Sequence, residues 1–271
     1  MQQNPDAITS SPILQHSSTP SLPSAIAIIP SRYGSTRLPG KSLINLCGKP
    51  LVQWVYERAK QARFLKRVIV ATDDERIAEV VRGFGGEVVM TRADHPSGTD
   101  RIAEAVRGIA ADVIINVQGD EPLIDPALID DLARHLSADA GWDMGTAATP
   151  IRDSADLLNP AVVKVVWDHA GRALYFSRSV IPHVRDAAPG TVLPGQHWRH
   201  IGLYGYRRAF LERLVQESPC ALEQAEKLEQ LRALHLGGRM KVLVTEHTGL
   251  GVDTPEDVPK AEAALRQAGL V

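Results

Sequence analysis

The chain has 271 residues, enough for one large α/β domain or two small ones with a substantial buried core. Its composition is typical of a soluble globular protein, with 44% hydrophobic and 23% charged residues, and its formal net charge at pH 7 is only -2. Such a small net charge creates no general attraction for nucleic acid or for an anionic membrane. We therefore expect neither as a partner.

Cysteine content and hydropathy indicate the cellular compartment in which the protein is expected to work. The two cysteines, Cys47 and Cys220, are too few for a disulfide framework or a thiolate zinc site, which favours a reducing cytoplasm. No apolar run reaches the ~18 residues that a membrane-spanning helix needs. Residues 1–24 are rich in Ser, Pro and Gln and lack the basic and apolar regions of a secretory signal. We predict a disordered extension there and one domain over 25–271.

From residue 25 onward, short β-branched runs alternate with helical patterns, which is typical of a mostly parallel sheet covered by helices. We predict strands at residues 25–29, 67–71, 87–90 and 113–117, each followed by a helix. The helix after the fourth strand has Asp125 as its expected cap and Pro126 at its first position. After Pro150 the pattern becomes mixed. There we predict strands at 162–167, 173–176 and 200–206, a helix over about 222–236, a strand at 240–245 and a helix from 255.

The first predicted strand runs directly into a basic loop with the sequence PSRYGSTRLPGK, residues 30–41. Three cations lie in this loop, and no acidic residue occurs between residues 7 and 56. Positive charge and exposed backbone N–H groups at one point suit a polyphosphate. A solvated surface turn is the alternative interpretation.

The same loop almost matches the phosphate-binding loop of kinases and other NTPases. Gly34 and Gly40-Lys41-Ser42 follow that pattern, but five residues instead of four separate the two glycines. Pro39 also removes a backbone N–H from the part that would hold phosphate. A displaced phosphate-binding loop is therefore a disfavoured alternative.

Carboxylates follow the buried strand that ends near residue 117. Asp120 and Glu121 lie where a sheet of this kind opens its ligand crevice, at the carboxyl ends of its strands. Mg²⁺ prefers oxygen ligands and binds proteins through one or two carboxylates, so Asp120 is the first candidate ligand. Asp253 is the second, because Thr254 can cap the following helix alone. The alternative is that these acids only end a strand and start a helix.

The loop from Pro30 to Lys41 resembles, almost residue for residue, the nucleotide-binding loop of the sugar-nucleotide cytidylyltransferases. Other segments are similar to those of the CMP-Kdo synthetases within that group, where Kdo is 3-deoxy-D-manno-octulosonate. They are residues 91–101, 175–182, 200–207, 228–232 and 251–257. The resemblance implies a three-layer, Rossmann-like nucleotidyltransferase fold in the α/β class, with a mostly parallel central sheet and a smaller mixed β region. It assigns CTP binding to about 25–150, and sugar binding and dimerisation to about 151–250.

The resemblance also implies roles for individual residues. The catalytic residues would be Arg32, Arg37, Lys41 and Asp120. Nucleotide binding would involve Arg32, Gly34, Ser35, Arg37, Lys41, Arg92, Ser97 and Gly98. Sugar binding would involve Gln118, Arg178, His200, Tyr204, Glu229 and Gln230. Asp120 and Asp253 would hold Mg²⁺. The sequence departs from the family at Ser42, where proline is usual and the turn is expected to loosen, and at Asp100, where glutamate is usual.

The implied activity is the transfer of CMP from CTP to Kdo, with release of pyrophosphate, for lipopolysaccharide biosynthesis. A cytoplasmic homodimer is expected. A CMP-sialic acid synthetase is the nearest alternative, since it shares the first loop and the cation chemistry. A kinase with a displaced phosphate-binding loop and a non-catalytic nucleotide-binding regulator are more distant ones.

Overall fold

The computed structural model describes residues 24–34 and 38–271 of the chain. The predicted extension lies outside the described residues except for Ser24, and so do Ser35 and Arg37 of the basic loop. Within the described ranges, no helix combines the length and the apolar character needed to cross a bilayer.

The described residues form strands and helices that alternate along the chain. The strands are β1 (Ala25–Ser31), β2 (Asn45–Leu46), β3 (Lys49–Pro50), β4 (Leu65–Thr72), β5 (Glu87–Met90), β6 (Val113–Asn116), β7 (Met144–Pro150), β8 (Lys164–Trp167), β9 (Ala173–Ser177), β10 (Trp198–Arg207) and β11 (Met240–Val244). The helices are α1 (Leu51–Lys60), α2 (Glu75–Gly83), α3 (Gly98–Ala105), α4 (Pro126–Ala138), α5 (Ser154–Leu158), α6 (Arg208–Leu214), α7 (Ala221–Glu226), α8 (Gln230–His235) and α9 (Asp257–Gln267). A short 3₁₀ helix covers Lys41–Leu43.

The central sheet has the strand order β11-β7-β10-β6-β1-β4-β5. Strands β6, β1, β4 and β5 are parallel, as are β11 and β7, whereas β10 runs antiparallel to both of its neighbours. A smaller antiparallel extension is formed by β8, which pairs with β10 and β9. This confirms the predicted α/β fold with a mostly parallel central sheet and a smaller mixed β region.

The alternation of side chains along β1 explains the three layers. Ala27 and Ile29 pack with helices α1, α2, α4 and α9 on one face of the sheet. Ile26 and Ile28 pack with α3, α6 and α8 on the other. Because successive side chains of a strand point to opposite faces, a strand buried on both sides must be apolar throughout. The first five residues of β1 satisfy this, since all five are apolar and buried.

The ends of the helices agree with the sequence-based predictions at α4 but not at α7, α8 and α9. Asp125 caps α4 by accepting a hydrogen bond from the Ala127 N–H, which confirms that prediction. The prediction of a single helix over about 222–236 is wrong. Lys227 adopts the left-handed conformation with φ 54°, so the segment forms two helices, α7 and α8. The last helix begins at Asp257, not at 255, and the Asp257 carboxylate accepts hydrogen bonds from the N–H groups of Asp253 and Thr254.

The loop that follows β6 approaches the end of β1 closely at Gly119. A Cβ atom on Gly119 would lie 2.9 Å from the carbonyl oxygen of Pro30, closer than real Cβ atoms come to a backbone atom. The absence of a side chain therefore allows the segment after β6 to pack against the end of β1. This contact positions the Asp120 carboxylate beside the basic loop.

We expect Gly119→Ala to lower the free energy of unfolding by about 1–3 kcal/mol, because the added methyl group must push two backbone segments apart. Gly83→Ala is the matched control. Gly83 lies in α2, and nothing lies within 4 Å of the position of its missing Cβ. The control should be neutral or stabilising by up to about 1 kcal/mol. Urea denaturation of both variants measures the difference, and equal stabilities would refute the close packing.

Candidate active site

A cavity of about 370 Å³ opens at the carboxyl ends of β1 and β6, and we call it the outer cavity. Five segments contribute to it: the loop after β1, the 3₁₀ helix, the start of α3, the loop after β6 and the turn before α9. Its lining residues are Pro30, Ser31, Arg32, Lys41, Ser42, His95, Pro96, Ser97, Gly98, Arg101, Gln118, Gly119, Asp120 and Asp253. The fold thus brings many of the predicted site residues together from distant parts of the sequence.

The Lys41 ammonium is the centre of the outer cavity's charge arrangement. Its Nζ lies 2.8 Å from Asp120 Oδ2 and 3.0 Å from Asp253 Oδ1. Burial lowers the pKa of Lys41, but the two carboxylates outweigh burial and hold that pKa above its ordinary value. Burial raises the pKa of the Asp120 carboxyl, and Lys41 opposes this shift. The lysine is therefore charged at neutral pH.

The backbone before Lys41 explains how the lysine reaches the carboxylates. Gly40 adopts a left-handed conformation with φ 68°, and its N–H donates to the Tyr33 carbonyl at 2.9 Å. This contact closes the basic loop on itself and starts the 3₁₀ helix at Lys41. The buried Ser42 hydroxyl lies 2.5 Å from the Ser31 hydroxyl at the end of β1, and the expected loosening of the turn stays a prediction.

The two aspartates of the outer cavity fit a hard divalent cation whose remaining ligands come from water and from a substrate. Asp120 and Asp253 converge on one ammonium, so their oxygens lie close enough to contact a single small cation. Among residues 24–34 and 38–271, no group of three or more His, Cys, Asp or Glu side chains could hold a metal. Two carboxylates alone suit Mg²⁺, which typically completes its shell with water and phosphate oxygens. The assignment of Mg²⁺ to this pair stays a prediction.

A second cavity of about 140 Å³, the inner cavity, adjoins the first and shares Pro30, Gly98 and Gln118 with it. Its other lining residues are Thr99, Asn116, Met144, Tyr204, Tyr206, Leu214, Glu229 and Gln230. Most of these carry hydroxyl, amide or carboxyl groups that can exchange hydrogen bonds with sugar hydroxyls. Burial raises the pKa values of the Glu229 carboxyl and the Tyr206 hydroxyl. Sequence analysis identified Gln118, Tyr204, Glu229 and Gln230 as sugar-binding residues and Gly98 as a nucleotide-binding residue, but gave no binding role to the others.

Four predicted site residues among the described ones lie outside both cavities. The Arg178 guanidinium donates to the carbonyls of Glu226 at 2.8 Å and Pro160 at 2.9 Å. Arg92 is exposed and pairs with Glu104. The other two are His200, described below, and Gly34. The predicted roles of these residues in binding stay predictions.

Arg101 is a residue of the outer cavity that sequence analysis missed. It is only 4% exposed, and its Nη1 lies 2.5 Å from Thr91 Oγ1 and 3.3 Å from Asp73 Oδ1. An arginine within a helical pattern ordinarily indicates a solvated face, so its burial could not be read from the sequence. The only signal was its position one turn after Ser97, which accepts the capping hydrogen bond from the Asp100 N–H.

His200 is part of the packing beside the inner cavity. Its ring makes an edge contact with Phe176 and a tilted contact with Tyr204, and its Nε2 lies 2.8 Å from Thr146 Oγ1. Burial lowers the pKa of the His200 imidazole from 6.5 to about 3. The folded protein therefore holds this imidazole neutral, whereas the unfolded chain protonates it below about pH 6.5.

This difference predicts an acid-dependent loss of stability. Since the unfolded chain binds the extra proton, stability falls as the pH falls below 6.5, and His200→Gln removes that contribution. Between pH 6.5 and 4.5, we expect the wild-type protein to lose about 2 kcal/mol more free energy of unfolding than His200→Gln. Urea denaturation at both pH values measures this. His169→Gln, at an exposed position, should retain the wild-type loss. An unchanged pH dependence in His200→Gln would contradict the prediction.

Comparison with known proteins agrees with this geometry. The family model described as cytidylyltransferase matches residues 26–242. A 3-deoxy-manno-octulosonate cytidylyltransferase from Geobacter sulfurreducens is 52% identical over 249 residues, covering 89% of this chain and 98% of the relative. One from Aliivibrio fischeri is 52% identical over 244 residues, covering 88% and 97%. The solved structure of a CMP:2-keto-3-deoxy-manno-octonic acid synthetase complexed with CTP is 43% identical, covers 90% of this chain and 99% of its own, and superimposes with a TM-score of 0.85. The chain therefore belongs to the cytidylyltransferase family and, within it, to the 3-deoxy-manno-octulosonate cytidylyltransferases.

Proposed function

We propose that this protein transfers CMP from CTP to Kdo, forming CMP-Kdo and pyrophosphate. The observation that carries the proposal is the convergence of Lys41, Asp120 and Asp253 in a cavity next to a second one lined by hydrogen-bonding groups. The first cavity has the charges that a nucleoside triphosphate and its cation need, and the second has groups suited to a polyhydroxylated sugar. Relatives about half identical to this chain carry the corresponding name.

The basic residues of the outer cavity would bind the triphosphate. Arg32 and Lys41 both line this cavity, and their charges would offset negative charge on the phosphate oxygens as it redistributes during transfer. Arg37 is proposed for the same role, although it lies outside the described residues. Ser97 and Gly98, at the start of α3, would contact the nucleoside because they line the same cavity.

Asp120 and Asp253 would hold Mg²⁺. When bound, the ion would supply positive charge to the phosphates and lower the pKa of a hydroxyl that it contacts. The contribution of the protein is to fix two carboxylates, 133 residues apart in sequence, at one point of the cavity. Val252 donates its N–H to the Asp120 carbonyl at 2.9 Å, which ties the two segments together.

The inner cavity would bind the sugar. Tyr204, Glu229 and Gln230 would hold its hydroxyl groups, with Gln118 at the boundary between the cavities. The anomeric 2-hydroxyl would then point towards the α-phosphorus. The hydroxyl oxygen would bond to that phosphorus while the bond to the pyrophosphate oxygen breaks, and the hydroxyl proton would be released in the end to solvent. Holding both reactants in adjacent cavities makes this attack effectively intramolecular.

The alternatives differ in chemistry. A phosphate-binding loop of the kinase type leads directly into a helix whose N-terminus binds phosphate, whereas only the three-residue 3₁₀ helix follows Gly40 here. A non-catalytic regulator would have no use for two carboxylates at the phosphate site. Pyrophosphate release measured with a panel of nucleoside triphosphates and with Kdo and sialic acid distinguishes these alternatives from CMP-Kdo synthesis.

We also propose a homodimer, a cytoplasmic location and a role in lipopolysaccharide biosynthesis, as the family resemblance implies. Leu158 and Leu174 are 56% and 53% exposed and lie in the portion assigned to dimerisation. Exposed leucines of this kind are compatible with a subunit contact.

Asp120→Asn should reduce the rate of pyrophosphate release from CTP and Kdo at least about 100-fold, because the substituted amide is a poor ligand for Mg²⁺ and carries no charge. A coupled phosphate assay after pyrophosphatase treatment measures the rate. Asp131→Asn, at an exposed position on α4, is the matched control and should retain wild-type activity. Near-normal turnover in Asp120→Asn would contradict the assignment of Asp120 as a metal ligand.

Glu229→Gln should raise KM for Kdo about tenfold, because it weakens hydrogen bonds within the inner cavity. KM for CTP should change less than about twofold, since Glu229 does not line the outer cavity. Steady-state kinetics with each substrate varied in turn measures both constants. Glu212→Gln, on α6, supplies the control. An equal rise in both KM values would contradict the assignment of Glu229 to sugar binding.

A further inference from the structure

The Lys41 ammonium lies where the two proposed metal ligands converge. Its Nζ is 2.8 Å from one aspartate and 3.0 Å from the other. We propose that, in the free protein, Lys41 occupies the cation position between Asp120 and Asp253 and lowers the affinity of that position for a divalent ion. This proposal rests on the metal assignment within the proposed function.

The contacts of Lys41 explain why ammonium and metal exclude each other. The side chain of Lys41 is 18% exposed, and those of Asp120 and Asp253 are 24% and 39% exposed, so solvent screens these charges incompletely. The Lys41 ammonium donates hydrogen bonds to both carboxylates and lies between them, where a cation held by both would lie. A divalent ion can therefore enter only if both charge-assisted hydrogen bonds are broken. Two cations cannot share this position, because they repel each other at short range.

The backbone around Lys41 indicates which part of the residue moves. Its N–H donates to the Leu38 carbonyl at 3.1 Å, and its own carbonyl accepts from the Ile44 N–H at 3.1 Å. These bonds fix the main chain. The four-carbon side chain can still rotate, and an ammonium has no fixed plane that its partners must match. Exchange of Lys41 with a metal ion therefore requires rotation of the side chain alone.

A triphosphate would give Lys41 another set of acceptors. Lys41 and Arg32 line the same cavity, so phosphate oxygens bound there can take up the ammonium while the aspartates take up the metal. Nucleotide and metal binding then favour each other, and this coupling must be reciprocal. The free protein would bind the metal weakly, and the metal would bind together with the nucleotide.

The test measures Mn²⁺ binding to the protein without nucleotide or sugar, by electron paramagnetic resonance of the unbound ion. Lys41→Met should bind Mn²⁺ about tenfold more tightly than the wild type, because each carboxylate loses its ion pair with Lys41. Arg32→Met is the matched control. It removes the same charge from the same cavity, and Arg32 forms no ion pair with either aspartate in the described residues. Its affinity should stay within about twofold of the wild type.

Three outcomes would overturn the proposal. They are unchanged or weaker Mn²⁺ binding by Lys41→Met, an equal gain in Arg32→Met, and a gain that survives when Asp120→Asn is added to Lys41→Met. The measurement uses no substrate, so its result is independent of turnover. A protein that fails to make CMP-Kdo but shows the predicted Mn²⁺ affinities would contradict the proposed function alone. The reverse pattern would contradict this proposal alone.

A second measurement on the wild-type protein keeps the proposal testable if Lys41→Met does not fold. Acetic anhydride labels lysine amines, and mass spectrometry quantifies each site. Mg²⁺ at a saturating concentration should increase the labelling of Lys41 at least about twofold, since the displaced ammonium becomes accessible. Lys260, which is exposed and pairs with Asp257 on α9, should be labelled equally with and without Mg²⁺. Unchanged labelling of Lys41 would refute the exchange.

Discussion

The ion pairs of Lys41 are the interactions that hold the candidate active site together. They join segments 79 and 212 residues away in sequence, from the loop after β6 and from the turn before α9. Burying two carboxylates near each other is unfavourable unless a cation compensates them, and Lys41 provides this compensation. The close packing at Gly119 and the hydrogen bond from Val252 to Asp120 provide the geometry that makes the compensation possible. Charge and backbone packing at this point therefore depend on each other.

The two cavities have different chemical character, and this difference separates the two proposed substrates. The outer cavity combines cations with two carboxylates, whereas no Lys or Arg is among the described residues that line the inner one. Burial in the inner cavity also disfavours the charged forms of Glu229 and Tyr206. A hydrogen-bonding surface without cations suits hydroxyl groups better than phosphate. The shared boundary at Gln118 and Gly98 is where a sugar hydroxyl and a phosphate would meet.

The sequence was most informative where one local rule decides the structure. The buried strand β6 followed by Asp120 predicted a carboxylate at the edge of the sheet, and the glycines and cations after β1 predicted a binding loop beside it. Tertiary contacts decided the rest. Lys227 breaks a continuous helical pattern because its backbone turns left-handed, and the main-chain carbonyls that bind Arg178 come from segments distant in sequence. Arg101 and Tyr206 face the cavities only because β10 and α3 lie beside β6 and β1.

The proposed metal site has two carboxylates among residues 24–34 and 38–271, so its remaining ligands would come from substrate and water. This incompleteness has a physical advantage. A closed set of four protein ligands would bind the ion permanently and leave no position for phosphate oxygens. Two aspartates compensated by a mobile lysine instead form a stable arrangement without substrate and can rearrange when phosphate binds. The side chain that pairs with both aspartates is thus one that would contact the triphosphate, so stability and substrate binding would depend on the same residue.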